Sequence, residues 1–166
     1  DYTATLSGLA HNQTYSYRAY AINEKGVSYG ETKEIVTKIS LPAVSDMTVS
    51  SITSTSARFA AAVASHGGET VSEVGFYYST NEAVDVENSD QVEIPYSSDS
   101  FMKTVENLSV CTKYYVKAYV KNSVGVVYSP IVSFTTAADI PMVNTIGSSE
   151  ITESGVKLSA TVITEN

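Results

Sequence analysis

Hydrophobic and polar residues alternate along most of this chain, and the three-to-four-residue spacing of a helix is missing. In the clearest run, a strand would place Ala57, Phe59 and Val63 on one face and Arg58 on the other. The alternation predicts strands at Val44–Val49, Ser56–Ala64, Val71–Ser79, Gln91–Pro95, Phe101–Leu108, Lys113–Lys121 and Val126–Thr135. Short strands at this spacing, separated by turn residues, indicate an all-β fold, an antiparallel β-sandwich.

The sequence pattern returns after a constant shift of 99 residues. Gln13–Tyr29 aligns with Thr112–Tyr128, and Pro42–Val63 aligns with Pro141–Val162, both without a gap. A fixed repeat of this kind indicates tandem modules. We therefore expect three parts: residues 1–41 as the last strands (E, F and G) of an upstream module, residues 42–137 as a complete module, and residues 138–166 as the first strands (A and B) of a downstream module.

Both ends of the sequence then fall inside modules. Either the sequence is a piece of a longer chain, or two chains exchange strands to complete each other's modules. The lack of a signal peptide at Asp1 carries little weight in the first case. The joins between modules, Lys38–Leu41 and Ala137–Ile140, are short, lack glycine and precede a proline. This composition favours a semi-rigid rod.

Two segments with the same internal spacing carry a family likeness. They are Leu108-x5-Tyr114-x-Val116-x-Ala118-x3-Asn122-x2-Gly125 and Leu9-x5-Tyr15-x-Tyr17-x-Ala19-x3-Asn23-x2-Gly26. Both resemble the E–F corner and F strand of fibronectin type III modules. The resemblance implies tandem seven-stranded immunoglobulin-like sandwiches. It also implies a tyrosine corner in each copy, formed by Leu108 with Tyr114 and by Leu9 with Tyr15, in which the hydroxyl bonds to nearby backbone.

The complete module also resembles the variant common in surface and secreted proteins of Bacteroidetes. The matching positions are Ser65, Gly67, Gly68, Val71, Gly75, Phe76, Tyr78, Ser79 and the ending Phe134-Thr135-Thr136. This implies an extracellular or cell-surface location and a role as spacer and adhesion scaffold. Two alternatives stay open: a carbohydrate-binding module of a glycan-capture system, and a virion fibre or decoration protein. The expected partners are neighbouring modules of the same chain, and cell-surface proteins or glycans.

Charge excludes two classes of partner. The formal net charge is −8, with 10 Lys and Arg against 18 Asp and Glu. Nucleic-acid binding needs clustered basic residues, and an anionic membrane surface attracts them too, so we expect neither partner. No apolar run approaches the roughly 18 residues of a membrane-spanning helix, so we expect no membrane insertion. The single cysteine, Cys111, has no partner for an internal disulfide.

Catalytic and metal-binding motifs are missing from the sequence. His11 and His66 fall in different modules, and neither has a second histidine or a cysteine at zinc-ligand spacing. The acidic loop at residues 85–90 offers oxygen ligands of the kind calcium prefers but lacks the EF-hand spacing, so a solvated connector is the alternative. We therefore predict a protein that is not an enzyme and has no cofactor and no metal.

One strand face offers a candidate contact surface. On the predicted sixth strand, Tyr115, Lys117 and Tyr119 share a face, and Arg18 and Tyr20 occupy the places of Lys117 and Tyr119 in the upstream copy. The ring of Tyr77 would join them from the third strand. Aromatic rings beside cations can stack on sugars, which supports a glycan hypothesis. The alternative is ordinary cross-strand pairing, because tyrosine favours open sheet faces.

Overall fold

The computed structural model describes residues 2–164, and within that range the backbone forms strands and turns but no helix. That range accordingly holds no helix that could cross a membrane. The strands, numbered in chain order, are β1 (Thr14–Tyr17), β2 (Tyr20–Asn23), β3 (Gly26–Tyr29), β4 (Lys33–Val36), β5 (Ala43–Val44), β6 (Thr48–Ser50), β7 (Ala57–Ser65), β8 (Glu73–Ser79), β9 (Asp90–Ile94), β10 (Ser100–Val105), β11 (Lys113–Lys121), β12 (Val126–Tyr128), β13 (Val132–Thr135), β14 (Met142–Ser149) and β15 (Lys157–Thr164).

Strands β5 to β13 form a sandwich of two antiparallel sheets. In the first sheet β7 lies between β10 and β5, and β6 also pairs with β7. In the second the order is β12, β11, β8, β9, and β13 also pairs with β11. This is the arrangement of an immunoglobulin-like sandwich. The all-β sandwich fold expected from the alternating pattern is therefore confirmed.

Two of the expected strands are each divided in two, so their prediction as single strands is wrong. The first is interrupted at Ser45, whose amide donates to the Ala62 carbonyl at 2.8 Å while its hydroxyl accepts from the Ala62 amide at 2.9 Å. The last is interrupted at Ser129, which bonds to Ala118 in the same way at 2.9 Å. In both places a serine side chain replaces a backbone carbonyl in the ladder. Pro130 follows the second break and has no amide hydrogen to donate.

The core between the two sheets is built around aromatic rings. Phe59 is fully buried, and its ring centroid lies 5.6 Å from that of Phe76 and 5.7 Å from that of Phe134. Both pairs adopt the edge-on geometry that aromatic rings prefer. The other buried members of the cluster are Met47, Ala57, Val63, Val71, Val74, Phe101, Val105, Leu108, Tyr114, Val116, Ala118 and Val120. Burying each large apolar side chain contributes about 1.5–3 kcal/mol.

The flanking parts of the chain form small sheets of their own. Upstream, β1 pairs with β4 and β2 pairs with β3. Downstream, β14 and β15 form a hairpin. Apolar side chains remain exposed in both: Leu6 is 71% exposed and Leu158 is 76% exposed. Their counterparts in the complete module, Val105 and Phe59, are buried.

Candidate functional site

The tyrosine-bearing face lies on the side of the five-stranded sheet that points away from the core. We define it by Glu73 and Tyr77 of β8, by Tyr115, Lys117, Tyr119 and Lys121 of β11, and by Tyr128 of β12. The register places Lys117 opposite Tyr77, and Tyr119 between Gly75 on one side and Tyr128 on the other. The alternation along β11 predicts this face, and Val116, Ala118 and Val120 on the opposite side are buried in the core.

Tyr119 packs against Gly75 and is 1% exposed. A Cβ added at Gly75 would lie 2.8 Å from Cε1 of Tyr119 and 2.1 Å from the carbonyl oxygen of Val92. Glycine is therefore required here by close approach from both sides. The tyrosine ring fills the space that a side chain at position 75 would occupy.

The Tyr119 hydroxyl is the centre of a polar network. It donates to Oε1 of Glu73 at 2.8 Å and accepts from Nε2 of Gln91 at 2.9 Å. Burial raises the pKa of the Tyr119 phenol, so it stays protonated. The hydrogen bond from Tyr119, and then the Lys121 ammonium 3.1 Å away, hold the pKa of the Glu73 carboxyl below its ordinary value. The network fixes Tyr119 in place rather than preparing it for proton transfer.

A loop covers the tyrosine pair. The ring centroids of Tyr77 and Tyr119 are 5.0 Å apart, and Val84 belongs to the same buried cluster. Tyr77 is 6% exposed and Val84 is 3% exposed. The loop keeps its shape because Oδ1 of Asp85 accepts from the amides of Asn88 at 2.8 Å and Glu87 at 3.2 Å. Two of the tyrosines expected to meet a sugar therefore offer almost no ring surface to one.

The basic residue of this face stacks on a tyrosine in both copies. Nζ of Lys117 lies 4.4 Å from the ring centroid of Tyr128, and Cζ of Arg18 lies 3.8 Å from that of Tyr29. These two pairs are separated by the 99-residue shift of the repeat. The recurring cation therefore contacts a tyrosine of its own copy in each case, and cation–π contacts at exposed positions contribute about 0.5–1 kcal/mol.

The remaining candidate positions are more accessible. Tyr115 is half-buried, with Nζ of Lys113 4.9 Å from its ring centroid. Tyr20 is 67% exposed, and its ring centroid lies 6.4 Å from that of Tyr29. Tyr20 and Arg18 belong to the upstream part and Tyr115 to the complete module. The structure therefore brings Tyr77, Lys117 and Tyr119 together on one face, whereas Tyr20 lies on β2 and Arg18 lies between β1 and β2 of the upstream part.

The tyrosines named from the family likeness bond to backbone in both copies. The Tyr114 hydroxyl accepts from the Ser109 amide at 3.0 Å, and the Tyr15 hydroxyl accepts from the Ala10 amide at 2.9 Å. The donor precedes the tyrosine by five residues in each case. Leu108 is buried in the core beside Tyr114, whereas Leu9 lies in the less covered upstream part. These hydrogen bonds anchor the turn that precedes β11 in the complete module and β1 in the upstream part.

The acidic loop and the histidines have protein partners. Hydrogen bonds from Asn88 lower the pKa of Asp85, whose oxygens face the amides of their own loop. Nε2 of His66 lies 2.7 Å from Oδ1 of Asp99, which also accepts from the Tyr96 hydroxyl at 2.7 Å. Within the described residues no group of three or more His, Cys, Asp or Glu side chains could hold a metal ion. Cys111 is exposed and free.

Sequence reasoning missed two residues of the tyrosine-bearing face, Tyr128 and Glu73, and two residues that contact it, Gln91 and Val84. Tyr128 and Glu73 lie on neighbouring strands, and Gln91 and Val84 come from the strand and loop beyond. Tyr128 could have been found, because it is identical to Tyr29 across the repeat and its strand follows β11 directly. Gln91 and Val84 fall in a part of the module that has no second copy in this sequence.

Known proteins match this chain in structure only. No protein-family model matches the sequence, and no curated protein matches it. Domains d3–d4 of the extracellular region of rat CD45 share 16% identity and a TM-score of 0.54, over 82% of this chain and 70% of that one. The sensor domain of the anti-sigma factor RsgI4 of Pseudobacteroides cellulosolvens shares 22% identity and a TM-score of 0.46, over 61% of this chain and 99% of that one.

A third solved structure covers three modules. The FN1–FN3 domains of chicken CNTN1 share 20% identity and a TM-score of 0.45, over 78% of this chain and 45% of that one. At these identities the likeness concerns the fold alone. The fold that this chain shares with the two CD45 domains is the immunoglobulin-like β-sandwich.

Proposed function

We propose that this chain is a non-catalytic spacer and adhesion scaffold in a longer exported surface protein, with modules of the kind found in Bacteroidetes. One observation carries the proposal: side chains that recur across the repeat bond to or stack on their own module. The tyrosine corner, the cation on a tyrosine ring and the buried Asn122 amide all stabilise the sandwich. A repeat selected for its fold is what a spacer requires. The surface location rests on the sequence likeness.

Carbohydrate capture on the tyrosine-bearing face has less support. Stacking on a sugar needs an open ring, and Tyr77 and Tyr119 are 6% and 1% exposed beneath Val84. Tyr115 and Tyr128 are more open, yet each already carries a lysine over its ring. The virion alternative needs the same rod and differs from our proposal in location.

Module replacement in the parent protein tests the spacer role. In one variant residues 42–137 are deleted, and in a second they are replaced by an unrelated β-sandwich of equal length. We expect deletion to reduce antibody access to the outer part of the protein on intact cells, and replacement to restore it, because a spacer supplies only distance. Adhesion to the natural surface is measured in parallel. If replacement fails to restore access, distance alone does not account for the module and the spacer role fails. Loss of adhesion with access restored would show that the complete module itself contacts the partner, as an adhesion scaffold does.

A further inference from the structure

We infer that each module carries a docking surface that receives the module before it and fixes the angle between the two. In the complete module this docking surface consists of the β7–β8 loop at His66–Gly68 and the β11–β12 turn at Asn122–Gly125. Its partner is the exit of a preceding copy: the linker Lys38–Leu41 and the turn His11-Asn12. The inference rests on the proposed function in one respect, since only a rod of successive modules would use such a surface.

The linker is held at both of its ends. The Lys38 carbonyl accepts from the Asn12 amide of the upstream part at 3.4 Å. Two residues later, the Ser40 amide donates to the Gly67 carbonyl at 2.9 Å, and the Ser40 carbonyl accepts from Nδ2 of Asn122 at 2.8 Å. Ile39 is the one residue between these two anchored points. A linker so short and so bonded leaves little freedom for one module to swing against the next.

Asn122 is the centre of the docking surface. Its side chain is 3% exposed. Nδ2 donates to the carbonyls of Ser40 and, at 3.1 Å, His66, while Oδ1 accepts from the amides of Val124 at 2.9 Å and Gly125 at 3.2 Å. One amide therefore joins the linker, the β7–β8 loop and the β11–β12 turn. A buried amide with both ends satisfied is specific in geometry, because any shift leaves polar groups unpaired.

Two glycines let the modules approach closely. A Cβ at Gly67 would lie 2.3 Å from the carbonyl oxygen of Ser40. A Cβ at Gly68 would lie 2.8 Å from Cβ of His11 and 2.9 Å from Cβ of Asn12. The second contact joins the complete module directly to the turn of the upstream part. Both glycines also have positive φ, of 70° and 79°.

The exit of the complete module has the same geometry as the exit of the upstream part. The Cys111 amide donates to the Ala137 carbonyl at 3.3 Å, as Asn12 does to Lys38. Cys111 lies 99 positions after Asn12, and Ala137 lies 99 positions after Lys38. Each module therefore presents to the next one the exit that the docking surface receives, and the kind of partner that fits is another copy of the module.

Distance measurement between spin labels tests the inference in the 166-residue chain. One label is placed on native Cys111 and the other on Glu31→Cys, so that the pair reports the position of the upstream part relative to the complete module. We expect a single narrow distance distribution by double electron–electron resonance. A broad distribution in the otherwise unchanged chain would overturn the inference, while leaving the spacer proposal, which needs only length, intact.

Gly68→Asn is the informative variant. Asparagine tolerates positive φ, so the main effect of the change is to push a side chain into His11 and Asn12. We expect the distance distribution to widen about twofold or more. The matched control is Gly8→Asn, since Gly8 has a φ of 74° and no atom within 4 Å of an added Cβ. An unchanged distribution in Gly68→Asn would show that this contact does not fix the angle.

A second variant keeps the test decisive if Gly68→Asn fails to fold. Two glycines inserted after Ile39 leave every residue of both parts unchanged and lengthen only the free segment. We expect the same widening, with the thermal unfolding of the complete module unaltered. A distribution that stays narrow after the insertion would overturn the inference. If module replacement fails to restore antibody access while the spin-label distance distribution stays narrow, the spacer proposal fails but the docking surface is still supported.

Discussion

Tyr119 and Tyr20 occupy the same place in the repeat but have different surroundings. Tyr119 is 1% exposed, covers Gly75 and bonds to Glu73 and Gln91. Tyr20 is 67% exposed and packs beside Tyr29. Identity across a repeat therefore marks a structural need that is met only where the neighbouring strands are present.

Replacing Tyr119 with phenylalanine keeps the ring and removes the hydroxyl, so it tests the hydrogen bonds of this residue apart from its packing. We expect Tyr119→Phe to lower the free energy of unfolding of the complete module by about 1–3 kcal/mol, because a bond to a carboxylate is lost and Gln91 loses an acceptor. Urea denaturation followed by far-ultraviolet circular dichroism measures this. The matched control, Tyr20→Phe, should change it by less than about 0.5 kcal/mol. Equal losses in the two variants would contradict a special role for the network.

The sequence predicted which face of the sheet carries these tyrosines but not how deeply they are buried. Alternation along β11 is a local property, and it correctly separates Val116 and Val120 from Tyr119. The cover comes from Val84 in the loop between β8 and β9, where the Asp85 carboxylate bonds to backbone amides of the same loop. A contact between residues far apart in the sequence produces no periodic pattern of apolar and polar residues. The glycan hypothesis assumed an open face for this reason.

At the scale of the element, pairing decides whether a strand is continuous. Strand β11 runs unbroken over Lys113–Lys121 with β8 along one side and β12 and β13 along the other. The same stretch of the upstream copy is divided into β1 and β2, each paired on one side only. Strand propensity is similar in the two copies, so the neighbouring strands make the difference.

Asn122 offers a test of how three elements are held together. We expect Asn122→Ala to lower the free energy of unfolding of the complete module by about 1–3 kcal/mol, since the carbonyls of Ser40 and His66 lose their buried donor. For a domain of this size that is a fall of roughly 4–20 °C in the midpoint of thermal unfolding. Calorimetry on the full chain measures it.

The repeat provides the control for this variant. Asn23 takes the place of Asn122 in the upstream copy, where its Oδ1 accepts from the Lys25 amide at 2.8 Å but the residue is exposed. We expect Asn23→Ala to leave the midpoint of the main transition within about 2 °C. A large shift in Asn23→Ala, or none in Asn122→Ala, would contradict the role given to the buried amide.

The breaks in the first and last predicted strands cannot be predicted from the alternation of apolar and polar residues. Alternation continues through Ser45 and Ser129, because a serine hydroxyl that accepts a ladder hydrogen bond does not change the order of apolar residues. Pro130 is a visible signal and could have divided the last strand in advance. Nothing comparable marks Ser45.

For the whole molecule, burial differs sharply between the complete module and its flanks. Phe59 is fully buried, whereas its counterpart Leu158 is 76% exposed. Amide hydrogen exchange should follow this division, because opening free energy rises with buried apolar contact. We expect amides of β7, β8 and β11 to exchange at least about 100-fold more slowly than those of β2, β3, β14 and β15.

Mass spectrometry of peptic fragments resolves these groups, and β10 serves as an internal reference within the module. Equal protection of the hairpin β14–β15 and of β7 would contradict the expectation and would mean that the exposed face of the hairpin is covered in solution. Raising the protein concentration should then leave the exchange rates unchanged if residues of the same chain cover the hairpin. It should slow exchange further if a second copy of the chain covers it.

The anchored linker has a mechanical consequence. A pull along the chain enters the complete module through Ile39 and reaches Ser40, whose amide and carbonyl are bonded to Gly67 and Asn122. Those bonds bear the load ahead of β5, which begins only at Ala43. Under tension the chain should therefore first yield at its joints, lengthening slightly there, while the hydrogen-bonded ladders of the sandwich remain closed.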